Sequence, residues 1–306
     1  MNEIMQFLII VFLVIFADTK STLQGIYSRK YINNTQDSLL FNGLIFTIIS
    51  VLFIMLFQKA PLCIEIVKFA VLCAFGTVVY QVCFAISMST GPVSLSCLII
   101  NLNVLITTAF SAICFREKIY ITQALGLFFL TISLVFNTKS SDKEDKISKK
   151  WFVITFLGML GVGFSSSMLK LFAKTEFASA KNSDITLMII MYIISAIASF
   201  IIYFINSFFG KHKNATIKHS KELFLFAFLV SIFLGIYQKV NMVGMKNIDG
   251  SFMFPVYYGL CSITMTILGL VLFKDKLLNR QKIGILFGIA SIVLFNVRTG
   301  FWFYIQ

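Results

Sequence analysis

Charge is what this chain has least of: only 13% of its 306 residues are Asp, Glu, Lys or Arg, while 58% are hydrophobic. That leaves too few polar side chains to cover a soluble globule of this size, so a soluble protein is excluded. Histidine is scarcer still. His212 and His219 share one hydrophilic stretch with no acidic or thiol companion, which excludes a histidine-based metal centre. Six cysteines (Cys63, Cys73, Cys83, Cys97, Cys114 and Cys261) stand inside apolar segments without Cys-x-x-Cys spacing, which reads as packing rather than a zinc or disulfide framework. No nucleophile–base pair, phosphate loop or metal-ligand cluster is recognisable, so neither enzyme activity nor a cofactor is expected. The formal charge of +13 is scattered through short connections and forms no continuous stripe. This argues against a nucleic-acid partner and for loops facing an anionic membrane surface.

What the chain has in abundance is apolar runs of about 20 residues, each long enough to cross a hydrocarbon core as a helix. Reading these runs between charge clusters and turns predicts ten helices near 4–27, 38–58, 63–88, 92–115, 118–138, 151–173, 185–208, 222–245, 251–273 and 282–303. The first run follows "MNEIMQ", which carries an acid and no base, so it is read as a membrane helix and not a cleaved signal. The longest connection, "TKSSDKEDKISKKW" from Thr138, divides the chain into two units of five helices, 1–140 and 141–306.

These two units carry related sequences. "FREKIYITQALG" (115–126) returns as "FKDKLLNRQKIG" (273–284), offset 158 throughout, at the same place in each half. Tyr80–Gln81 returns as Tyr237–Gln238, and "GIYSRK" from Gly25 has a counterpart in "KLFAKT" from Lys170. An odd number of helices per unit makes the second copy enter from the opposite side. The expected fold is therefore an all-α integral membrane protein of ten transmembrane helices, arranged as two inverted five-helix repeats, a design that supports alternating access around one central site. The charge triplets Arg116–Lys118 and Lys274–Lys276 are read as loop anchors at the headgroup level.

The segment "GPVSLSCLIINLNVLITTAFSAICFREKIYITQALGLFFLTISLVFN", with its counterpart from Gly250 to Phe295, resembles the drug/metabolite transporter superfamily, in particular its EamA-type family. The resemblance is strongest at Glu117, Gln123 and Gly126 and at Asp275, Gln281 and Gly284. It implies a multi-pass protein of a bacterial inner or plasma membrane, monomer or homodimer, that exports a small polar or zwitterionic solute such as an amino acid, metabolite or drug. A lipid-carrier flippase and a nucleotide-sugar or phosphate-ester carrier use the same fold and stay open, as does a non-transporting membrane sensor. With no ATP site in the sequence, the driving force is expected to be a gradient.

The fourth helix, projected at 100° per residue, gathers Ser94, Asn101, Asn103, Thr107, Thr108 and Ser111 on one side. The ninth gathers Ser251, Tyr257, Tyr258, Cys261, Ser262 and Thr264. Hydroxyls in membrane helices often serve only interhelical hydrogen bonds. Matched polar arcs in both halves point instead to a hydrated cavity, with Tyr80, Gln81, Asn101, Asn103, Thr108, Tyr237, Gln238, Asn241, Tyr258 and Ser262 as candidate substrate-binding residues.

Four charges lie within helices. Lys20 and Lys170, read as close to helix ends, are expected to snorkel. Lys239 and Asp18 are coupling candidates. Asp18 is expected either to exchange protons during transport or to form a fixed ion pair with Lys170 or Lys239. Loops after odd-numbered helices hold 15 Lys and Arg, the even loops and termini 7. By the positive-inside rule both termini then face outward, whereas the resemblance implies cytoplasmic termini. "NNT" at Asn33 and "NAT" at Asn214 are glycosylation acceptors only if their loops are luminal.

Overall fold

The computed structural model describes residues 3–57, 62–117, 119–138, 149–209, 220–273, 279–296 and 302–303. Helices account for nearly all of them: α1 (Glu3–Tyr31), α2 (Thr35–Leu56), α3 (Ile64–Thr90), α4 (Val93–Asn101), α5 (Asn103–Phe115), α6 (Ile121–Thr138), α7 (Lys149–Ala173), α8 (Ser183–Phe209), α9 (Ser220–Asn247), α10 (Gly250–Val271) and α11 (Asn279–Asn296). Taking α4 and α5 as one span, eight helices among the described residues are long and apolar enough to cross a membrane. Two-residue strands, β1 (Ile119–Tyr120) and β2 (Trp302–Phe303), pair antiparallel beside the ends of α6 and α11. His212, His219, Asn214 and Asp275 lie outside the described residues.

Two helix boundaries differ from expectation, and both shape the site. α1 runs on to Tyr31 because the following turn "NNTQD" already belongs to α2: Asn34 caps it by accepting the Asp37 N–H at 2.9 Å, and Asp37 accepts the Asn33 N–H at 3.0 Å. The expected helix 92–115 is broken at Leu102. There the Leu102 N–H reaches the Ile99 carbonyl at 3.1 Å and the Leu105 N–H reaches Leu102 at 3.0 Å, a 3₁₀ pattern, while the Asn103 amide donates to the Ile100 carbonyl at 2.8 Å.

The two halves meet most closely along α3 and α7. A Cβ at Gly76 would lie 2.7 Å from the Gly161 carbonyl, and one at Gly161 would lie 2.8 Å from the Tyr80 nitrogen, so the backbones touch where both residues lack side chains. Hydroxyl pairs extend this seam, Thr77 with Ser165 at 2.9 Å and Ser87 with Thr155 at 2.6 Å, and the Trp151 indole donates to the Ser87 carbonyl at 2.9 Å. Small residues and short hydroxyls suit a bundle in lipid, where close packing must replace the hydrophobic drive that water supplies.

Candidate functional site: a polar cavity between the two halves

The seam opens into a cavity lined from α1, α3, α4, α5 and α7 to α10. α1 contributes Asp18, Lys20 and Ser21; α3 contributes Thr77, Tyr80, Gln81 and Phe84; Asn101 and Asn103 flank the break between α4 and α5. From the second half come Ser165 and Ser166, then Tyr192, then Tyr237, Gln238 and Asn241, and finally Tyr257, Tyr258 and Cys261. The structure thus brings together eight of the ten expected binding residues: Tyr80, Gln81, Asn101, Asn103, Tyr237, Gln238, Asn241 and Tyr258. Thr108 and Ser262 do not line it. Ser262 stands just behind the wall, donating to the Tyr258 carbonyl at 2.7 Å and accepting from the Asn101 amide at 3.1 Å. Thr108 lies five residues, about 7.5 Å along α5, beyond Asn103, the α5 residue that lines the cavity.

The cavity has a cationic and an acidic point, both on α1. The Lys20 ammonium donates to the Tyr80 hydroxyl and to Gln81 Oε1, each at 3.3 Å, and lies 5.1 and 5.2 Å from the ring centres of Tyr80 and Phe84. Lys20 is 3% exposed, and among the described residues no carboxylate pairs with it. The expected snorkelling does not occur: α1 continues eleven residues beyond Lys20. That is about 16 Å at 1.5 Å per residue, too far for the side chain to reach a headgroup. Asp18 accepts from the Thr264 hydroxyl of α10. Neither lysine proposed as its fixed partner is near it, so the ion-pair reading of Asp18 fails. Tyr237 stacks on Tyr257 at 6.0 Å and Tyr257 tilts against Tyr258 at 4.7 Å, giving the cavity an aromatic wall.

Lys239 sits outside the cavity in an ion pair with Asp184 at 2.8 Å, which removes it as a coupling group lining the path. Lys170 does not snorkel either; its side chain is fully buried. It donates to the Met245 and Ile248 carbonyls at 3.0 and 2.7 Å, at the end of α9, and lies 3.7 Å from Glu117 Oε1. Glu117 Oε2 in turn accepts the Ser251 N–H, in the first turn of α10, at 2.7 Å. Each charge therefore meets the complementary end of a helix dipole as well as its partner. Glu117 is a buried latch between halves and not the headgroup anchor expected of it; Arg116, left-handed at φ 50°, turns it inward from the end of α5. Gln123, the next residue of the repeated motif, accepts the Tyr120 N–H at 3.1 Å and caps α6.

The described residues form a bundle of helices long and apolar enough to cross a membrane around a polar, two-poled cavity, an architecture that suits a membrane transporter. Residues 8–139 match the model of the EamA-like transporter family, which bears out the resemblance drawn from the sequence and supports a membrane transporter of the drug/metabolite type. The family is one of transporters, in keeping with the expectation of no enzyme activity. A comparison with curated proteins finds no match. Among solved structures, one described only as "Crystal structure of protein" has the same fold, with a TM-score of 0.66 at 15% identity over 96% of this chain and 97% of that one.

Proposed function

We propose that the protein is a secondary exporter of a small polar or zwitterionic organic solute in a bacterial inner or plasma membrane, working by alternating access around the cavity. The observation that carries this reading is that both halves supply polar side chains to one cavity. Asp18, bonded to Thr264 across the seam between α1 and α10, is the coupling group of this reading.

The reading includes ten spans in two inverted repeats, 1–140 and 141–306. Support comes from contact parity. Trp151, at the start of α7, touches Ser87 near the end of α3, while Lys170, at the end of α7, meets Glu117 just after α5. In this reading the chain leaving Glu117 returns across the membrane through α6 before α7 begins. β1 precedes α6 and β2 follows α11, and their pairing, with the Ser133 hydroxyl bonded to the Gly284 carbonyl, sets α11 antiparallel to α6, which supports counting it as a tenth span. A pseudo-symmetric pair of contacts adds to this. Lys170 near the end of α7 docks beside the end of α5, and Arg29 near the end of α1 donates to the Phe273 carbonyl past the end of α10 at 3.1 Å. By the same parity the two contacts lie on opposite faces of the membrane, where alternating access needs its two closures.

Metabolite profiling of cells with and without the gene tests the export reading. Deletion is expected to raise one or a few small polar solutes inside the cell, and overproduction to raise the same solutes in the medium. Unchanged profiles in both directions, or lipid-linked species as the compounds that change, would reject it.

A further inference from the structure

We infer that the cargo carries a carboxylate and that Lys20 is the group that docks it. This rests on the transporter reading above and names the chemistry of its cargo.

An ammonium has three N–H donors and no acceptor, so Tyr80 and Gln81 receive the Lys20 bonds on oxygen lone pairs and keep their own protons. The third Lys20 N–H, the Tyr80 O–H and the Gln81 amide N–H₂ have no protein acceptor among the described residues, and all three groups belong to the cavity lining. Donors clustered around a buried cation that no carboxylate contacts among the described residues, with aromatic rings on one flank, form a site suited to an anion.

Charge balance selects the kind of anion. Lys20 and Asp18 are the Lys, Arg, Asp and Glu residues of the lining, formally neutral together. A carboxylate adds a single negative charge at the Lys20 end. A phosphate ester would bring nearly two to a cavity with one cation. On α1 the two residues are separated by two positions, about 200° around the helix, so they face different parts of the cavity. A carboxylate therefore meets Lys20 without lying against Asp18. It can come from a simple organic acid, or from an amino acid whose ammonium points to Asp18.

The test uses the full chain purified in detergent and a panel of free acids, each paired with its amide: acetate, 3-phenylpropionate, leucine, phenylalanine and glutamine. At millimolar concentration at least one acid is expected to raise the melting temperature by several degrees while its amide does not. The amino acids against 3-phenylpropionate separate the two sources. Lys20→Met should abolish the shift, Lys20→Arg should keep part of it, and Lys68→Met, at an exposed pair on α3, should leave it intact. Should Lys20→Met fail to fold, the wild-type protein still answers: acylation of Lys20, read by mass spectrometry, should slow several-fold with the acid and not with its amide. Amides as effective as acids, or a panel in which no acid stabilises or protects, would overturn the inference while leaving the transporter reading in place. Acid binding through Lys20 without counterflow in vesicles would have the opposite meaning, sinking transport and sparing the site.

Discussion

Glu117→Gln is the most informative single change outside the cavity. The variant keeps an acceptor for the Ser251 N–H but removes the charge facing Lys170, whose side chain is fully buried while that of Glu117 is 7% exposed. Breaking a buried pair from one side costs about 3–5 kcal/mol. Lys170 keeps two carbonyl partners at 3.0 and 2.7 Å and the negative end of the α9 dipole, which offsets about 1–2 kcal/mol. The state in which this face is shut should therefore lose about 2 kcal/mol, a shift of about 30-fold toward opening there. The assay is maleimide labelling of Asn101→Cys, in a cysteine-free background, applied from each side of oriented vesicles. From the Lys170 side Glu117→Gln should raise the rate at least tenfold, and from the other side the rate should fall. A lower melting temperature with unchanged labelling from both sides would refute the latch and leave a purely structural ion pair.

Three further outcomes are expected. Cysteines at Asn101 and Tyr258 should react with a soluble maleimide and be protected by cargo, while cysteines at Thr108, Leu102 and Ile263 react at least tenfold more slowly; equal rates would remove the cavity assignment. Asp18→Asn should abolish transport driven by a pH gradient yet leave cargo exchange at equilibrium within about twofold, with Thr264→Val a milder version; full gradient-driven transport by the Asn variant excludes Asp18 as the coupling group. Gly161→Leu places a side chain where even a Cβ would sit 2.8 Å from the Tyr80 nitrogen and 2.9 Å from the Gly76 carbonyl, so folded yield should drop at least several-fold, as size-exclusion chromatography would show, against a small effect of Leu at Gly235, whose nearest neighbours are 3.7 Å away.

Hydropathy made the spans readable because a helix in lipid must be apolar along its length whatever it packs against. What it could not give is rotation about each axis and where a helix truly stops. Lys20 was misread for the second reason, since the α2 cap at Asn34 lets α1 run to Tyr31 and strands the ammonium inside. For Thr108 the missing quantity is position along the axis, since it lies about 7.5 Å beyond Asn103, the α5 residue that lines the cavity. Asp18 and Thr264 are 246 residues apart, and the Lys170–Glu117 contact crosses between the halves, so no local pattern announces either. The matched Tyr-Gln pairs did carry their signal, since both sit at equivalent points of α3 and α9 and all four side chains reach the cavity. The repeated acid and Gln also had a physical meaning that the pattern alone left unspecified: Glu117 ties α5 to α7 and α10, and Gln123 caps α6.

If one cavity opens in turn to two faces, spin-label distances measure it directly. One pair, Lys30 and Leu272, reports the face of the Arg29–Phe273 contact; the other, Arg116 and Asn247, reports the face of the Glu117–Lys170 latch, and all four positions are exposed. In lipid vesicles each pair should give two distance populations, and any change of pH or cargo that widens one pair should narrow the other. A single unchanging distance in both pairs, or the two widening together, would contradict alternating access.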